Sequence, residues 1–249
     1  MPTYNKNNET FDPYSSGANG YDEVKSNGML LTKVFLLMFI SLLATAAVAY
    51  ALGHVLNNAL DIGDINVAMG FYVAMFVSII GIVVISFVIP IKVSRGLSSI
   101  LPAYLMYLVF MGILLSTIYV AYDMSVISLS FGITAGVFGI MALLGYLSKG
   151  SLVGVRPLFF GLVLGAIGLS LVNWFLQSDT LAWVISFAVF AAILFITMYD
   201  VRRIKDIVHS GYMNNNNNLM LYCSFILLTD FINVFLRILR YVAYFSRKN

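Results

Sequence analysis

Polar and apolar positions along the chain separate into seven long apolar runs joined by short polar connections: Val34 to Leu56, Val67 to Ile89, Ile100 to Tyr122, Val126 to Leu147, Leu158 to Leu176, Leu181 to Tyr199 and Leu219 to Phe245. A helix needs about 20 apolar residues to cross the hydrocarbon of a bilayer. The pattern therefore predicts an all-α integral membrane protein with seven transmembrane helices. Ahead of them, residues 1–28 are rich in Asn, Gly, Ser and Tyr and lack apolar periodicity. They are expected to form a disordered polar tail, leaving 29–249 as a single seven-helix domain. The first run starts too late and runs too long for a cleaved signal, so it counts as a true span.

The first six runs contain no Asp, Glu, Lys or Arg, whereas the seventh carries Asp230, Arg237 and Arg240. A charge at bilayer depth costs roughly 2.5–3.5 kcal/mol on insertion scales, so such groups usually face a polar interior and have a task there. At helical pitch, Asp230, Asn233, Arg237, Arg240 and Tyr244 fall on one narrow side, with Tyr222 extending the line. This stripe is expected to face protein or water.

Composition strengthens the membrane assignment: 61% of residues are hydrophobic and 10% charged, with a mean hydropathy of +0.93. The net charge of +3 gives no case for nucleic acid. Cys223, the single cysteine, excludes an intrachain disulfide and a multi-cysteine metal site. Loops bearing Lys92 and Arg95, Lys149 and Arg156, and Arg202, Arg203 and Lys205 alternate with loops holding Asp61, Asp64, Asp123 and Asp179. The positive-inside rule then places the amino terminus in the cytoplasm. Seven crossings put the carboxyl terminus outside, against the preference of Arg247 and Lys248.

Gly132 and Gly136, and Gly161 and Gly165, are spaced for close helix approach. Pro90 and Pro157 are expected to mark helix boundaries, and Trp174 and Trp183 to form an interfacial belt. Asn173 is a candidate interhelical hydrogen-bonding group. His54 and His209 lack partners at ligand spacing, and the run Asn214 to Asn218 looks like a flexible linker. No Ser/His dyad or metal cluster lies within the runs, so an enzyme is not expected, and no lysine in the seventh run offers a Schiff base.

The stretch Ile196 to Asp206, ITMYDVRRIKD, followed by Thr229 to Arg240, TDFINVFLRILR, resembles the paired signature of the Bax inhibitor-1 (transmembrane Bax inhibitor motif) family, bacterial branch. Upstream, Thr134 to Leu152, TAGVFGIMALLGYLSKGSL, is similar to the family's fourth span and the basic loop after it, and Asn173 stands where an asparagine is usual. The chain departs from the family where Val201, Arg202 and Arg203 follow Asp200 in place of the usual polar continuation. The resemblance implies a bundle in which the last helix is central among the other six, and a pH-sensitive leak pathway for Ca2+. It also implies that a pair of aspartates, here Asp200 and Asp230, senses pH and transiently ligates Ca2+, with Lys92 or Arg95 as charge partner.

Two carboxylates held close in a low-dielectric setting cannot comfortably ionise together and tend to share a proton, and their oxygens are hard ligands suited to Ca2+. One obstacle stands in the register: Asp200 closes the sixth run while Asp230 lies eleven residues inside the seventh, roughly 16 Å along a helix. Arg237 and Arg240 suit either snorkelling to lipid phosphates or a gate in the outer half of the bundle. Ca2+ is expected as transported ion, with no resident cofactor; protons, the bilayer and membrane-protein partners complete the expected contacts. Alternatives are a non-conducting regulator of a membrane protease or cell-death partner, or a proton-coupled cation exchanger. A bacterial plasma membrane is the expected location, an internal organelle the alternative.

Overall fold

A computed structural model of the chain describes residues 15–96, 99–148, 177–210 and 216–246, with 161, 164–165, 167–171 and 174 between them. Helices run over Ser15–Ile62 (α1), Ile65–Ser94 (α2), Leu101–Ala121 (α3), Met124–Leu147 (α4), Asp179–His209 (α6) and Asn217–Ser246 (α7). The helical residues at 161, 164–165, 167–171 and 174 belong to a further helix, α5. Among the described residues, six helices are long and apolar enough to cross a membrane, and no strand occurs. Leu36, Phe76, Val83, Phe87 and Leu143 are among the many large apolar side chains left more than half exposed. In water such a surface would aggregate, whereas in lipid it is the required exterior.

The most buried helix is α7: over its most apolar stretch 56% of residues are buried, against 11–28% in the other spanning helices. It packs on α4, α1 and α6, and more lightly on α2 and α3. Its amphipathic sequence explains the choice, because a helix holding Asp230 is the one least suited to lipid. Cys223, Leu227, Leu228, Ile232 and Val234 are essentially inaccessible on its inner side. Most buried hydroxyls satisfy themselves within their own helix, as Thr45, Ser78, Ser130, Thr134 and Thr197 donate to the carbonyl four residues back. Other hydroxyls bond between helices, among them Tyr104 Oη to Ser41 Oγ at 2.7 Å, Ser224 Oγ to the Val34 carbonyl at 2.9 Å, and Tyr107 with Thr229 at 3.0 Å.

Several boundaries differ from the sequence pattern. The first helix begins at Ser15, inside the expected tail, because extending a helix already nucleated by its apolar part costs little. Pro90 lies within α2, which continues to Ser94. A missing N–H is tolerated in membrane helices when neighbours compensate. The sixth span runs ten residues past Tyr199 to His209, since charged residues end an apolar run without ending a helix. The described end of the asparagine run is tied in: Asn216 caps α7 by accepting the Leu219 N–H at 3.0 Å, and Asn218 accepts the Ile100 N–H at 3.2 Å, while Asn214 and Asn215 lie outside the described residues. Lys149, Arg156, Pro157, Asn173 and residues 247–249 lie outside the described residues.

Glycine packing also departs from expectation. Gly132, Gly136, Gly161 and Gly165 meet no described atom within 4 Å of a would-be Cβ. The spacing marks a smooth face but does not say that a partner lies on it. Close approaches fall at other glycines, such as Gly112 of α3, where a Cβ would stand 2.5 Å from Val48 of α1, and Gly145 of α4, where it would stand 2.5 Å from the Met198 carbonyl oxygen of α6. Beside it, α6 fastens the end of α4. Lys205 donates to the Tyr146 carbonyl at 2.7 Å and lies over its ring, while Arg202 donates to the Ser148 carbonyl. Cations at a helix carboxyl end satisfy its free carbonyls and complement its dipole. Gly145→Ala is expected to destabilise the protein by about 1–3 kcal/mol through overpacking, and Gly132→Ala to stay within about 0.5 kcal/mol, both read by thermal unfolding in detergent.

Candidate functional site

The extended α6 removes the register obstacle. Asp200 lies nine residues before the end of α6 and Asp230 thirteen residues into α7, so in this antiparallel pair their depths differ by only about 6 Å. Asp200 lies within electrostatic reach of Asp230. Asp230 is 7% exposed, and among the described residues it is the one charged side chain classed as buried. Its Oδ2 is enclosed with no hydrogen-bond partner. A buried carboxylate oxygen left without a donor is uncommon and calls for an explanation.

The basic group at the site is Arg203. Its guanidinium supplies the charge acting on Asp200 and faces the Tyr222 hydroxyl. Asp200 and Arg203 are three apart on one helix, a spacing that puts both on the same face. They stand farther apart than a direct pair, since Arg202–Asp206, at 3.7 Å, is the one ion pair within 4 Å among the described residues. Lys92 falls in the last turn of α2 and Arg95 at its cap, and neither forms an ion pair within that distance. Arg203 was visible in the sequence only as part of a basic corner; its position three residues after Asp200 was the signal.

Tyr107 of α3 closes another side. It is 1% exposed, shares a hydrogen bond with Thr229 at 3.0 Å, and lies within electrostatic reach of Asp230. Phe225 holds its ring edge-on at 4.7 Å between centroids. The sequence reading passed over this pair, although two tyrosines three apart in an otherwise lipid-compatible run marked α3 as facing something polar. Above Asp230, toward the end where α3 meets α4, a cavity of about 250 Å³ lies among Leu42, Ala46, Leu115, Phe131, Phe231 and Phe235, with scarcely any polar surface.

The stripe on α7 splits. Asp230 is buried and Arg237 half-buried, while Asn233, Arg240 and Tyr244 are exposed. At 3.6 residues per turn, the buried positions centre about 120° round from Asp230, and Asn233 and Arg240 lie about 60–80° in the other direction. The stripe straddles the edge of the buried face, so only its inner margin is enclosed. Among the described residues, no three His, Cys, Asp or Glu side chains are grouped as a metal cage.

The family model described as inhibitor of apoptosis-promoting Bax1 matches residues 27–247. The chain belongs to the Bax inhibitor-1 family. The inner membrane protein YbhL of Escherichia coli K12 is 30% identical over 213 residues, covering 84% of this chain and 89% of that protein. A protein of Borreliella burgdorferi is 32% identical over 229 residues, covering 91% and 96%. A membrane protein of Streptococcus pyogenes serotype M1 is 27% identical over 210 residues. The matched stretch contains every described element of the site, from Tyr107 to Asp230. Tyr107→Phe, which removes the hydroxyl paired with Thr229 and keeps the ring, is expected to lower stability by about 0.5–1.5 kcal/mol, measured by thermal unfolding in detergent.

Proposed function

We propose that the protein is a pH-sensitive leak channel for Ca2+ or a similar cation in a bacterial inner membrane, switched by Asp200 and Asp230. The observation that carries this reading is the enclosed Asp230 carboxyl, whose Oδ2 has no hydrogen-bond partner, within electrostatic reach of a second carboxylate at nearly the same depth. A bundle that needed only stability would gain nothing from it, because burying a charge without a partner is costly. Two neighbouring carboxylates that share a proton can change their joint charge in a single step. That step alters the pull on Arg203 and Tyr222, and with it the fit of α6 against α7.

In this reading α7 is the central helix among the other six, and the amino terminus is in the cytoplasm. Ca2+ takes six to eight oxygen ligands, so two carboxylates hold it only in passing, with water filling the remaining positions. That suits conduction, which needs binding weak enough to release. The described conformation is the closed one. On the far side of Asp230 the route passes Phe231, Ile232 and Phe235 beside the apolar cavity, and a hydrophobic constriction excludes hydrated ions by dewetting.

Flux measurements in liposomes decide the matter. Purified protein is expected to pass Ca2+ at a rate that varies with pH, and the Asp200→Asn/Asp230→Asn double variant to lose that dependence. A protein that passes no Ca2+ at any pH is a regulator without a pore, and obligatory proton counter-flow in fixed ratio marks an exchanger. Phe231→Ser is expected to raise the closed-state leak, roughly tenfold for each 1.4 kcal/mol removed from the barrier.

A further inference from the structure

At the opposite end of α6 and α7, a cleft of about 280 Å³ opens between the first turns of α6 and the last turns of α7, lined by Ala182, Trp183, Ser186, Arg240, Tyr241 and Tyr244. We propose that this cleft binds the phosphate headgroup of an anionic phospholipid from the outer leaflet. The inference is independent of the channel reading, since it concerns other side chains at the other face of the membrane.

Charge complementarity carries the argument. Arg240 is exposed, borders the cleft and forms no ion pair or hydrogen bond among the described residues. A guanidinium presents a fork of donors matched to phosphate oxygens. Ser186 Oγ and Tyr241 Oη lie in the same cleft, 2.9 Å from each other, and each retains capacity for a further hydrogen bond. Arg240 is six residues from the end of α7, about 9 Å along the axis, a depth at which headgroups meet acyl chains.

The walls suit a lipid better than a free ion. Trp183 stacks on Tyr241 at 5.9 Å between centroids and meets Tyr244 edge-on at 5.0 Å, and Phe187 stacks on Tyr241 at 5.7 Å. These rings form a stiff apolar bracket around a polar mouth, as tryptophan and tyrosine do at membrane interfaces. Val184 and Phe187 beside it are 56% and 59% exposed, a track along which an acyl chain can lie. An aromatic bracket alone would also attract a quaternary ammonium group. Arg240 opposes that cation, which selects a net-negative headgroup over a zwitterionic one. The site also gives a use to arginine at the face where basic residues are disfavoured.

With Trp174→Phe as the parent, Trp183 is the remaining tryptophan of two and reports directly on the cleft. The parent is reconstituted in phosphatidylcholine vesicles doped with phosphatidylglycerol bearing brominated acyl chains, or with phosphatidylcholine bearing the same chains. Trp183 fluorescence is expected to be quenched at about fivefold lower dopant for phosphatidylglycerol, the preference that one basic residue provides. Arg240→Gln is expected to erase that preference, and added inorganic phosphate to leave it unchanged. Equal quenching by the two headgroups in the parent overturns the proposal, as does a preference that persists in Arg240→Gln. Reversal by inorganic phosphate assigns the cleft to free anions and overturns the lipid. If Arg240→Gln fails to fold, the comparison of headgroups in the parent decides alone.

Discussion

A carboxylate inside a bilayer has to be surrounded by protein, and the position of Asp230 in the last helix imposes that condition on everything around it. Hydrocarbon cannot accept the group, and water reaches it only if the bundle admits water. The helix that carries it is accordingly the most buried, with α1, α4 and α6 as its main neighbours. Those neighbours are free to be apolar on their outer faces because α7 concentrates the polar chemistry. Asp200 and Tyr107 bring polar groups to the same level from α6 and α3. Neither would have reason to lie at mid-bundle in a protein held together by packing alone.

The two ends of the bundle are held differently. At the end where α6 passes to α7, polar bonds tie the helices: Lys205 and Arg202 to the end of α4, Asn218 to the start of α3, and Ser224 to α1. At the other end the contacts are largely aromatic, with Trp183, Phe187 and Phe190 around Tyr241, and an apolar cavity lies beside Phe231 and Phe235. Empty space lined by hydrocarbon forfeits dispersion contacts and leaves side chains room to shift. Hydrogen bonds in a dry interior tolerate less displacement, because a broken one leaves an unsatisfied group. The bundle is thus tied by directional polar bonds at one end and by aromatic packing beside an apolar cavity at the other.

The membrane class and the apolar extents of the spans were legible because hydrocarbon permits only one kind of side chain over a fixed length. The family was legible through the two motifs, and the enclosure of Asp230 through the charge contrast among the runs. Helix ends were not, since the end of an apolar run at Tyr199 marks where the membrane stops, and α6 continues on its own hydrogen bonds to His209. The nearness of Arg203 to Asp200 was hidden for a related reason: the two share a helix face only if the helix persists past Asp200, whereas Lys92 and Arg95 became candidates by loop location. Glycine spacing misled because Gly132 and Gly136 form a smooth face with no described partner on it, while Gly145, without a partner glycine four residues away, makes the close contact with Met198. Packing partners are a property of the assembled bundle, and a single helix's pattern does not contain them.

The angular place of Asp230 on α7 links the two sides of the helix. A carboxylate at the centre of the buried face could change its surroundings only if the bundle came apart. One pointing straight outward would need no enclosure at all. Asp230 stands at the margin, enclosed on the side of Leu227 and Val234, which are inaccessible, while Asn233, one turn on, lies in the sector the described helices leave open. A turn of α7 by about two-thirds of the angle between successive residues, some 60° at 3.6 residues per turn, carries a group from one environment toward the other. Arg237, half-buried on the same margin, turns with it. Polar bonds fix α7 near Asn218 and Ser224, while past Phe231 its inner face is held by the apolar contacts of Val234, Ile238 and Leu239, and the boundary position makes any rotation there consequential for the charge it carries.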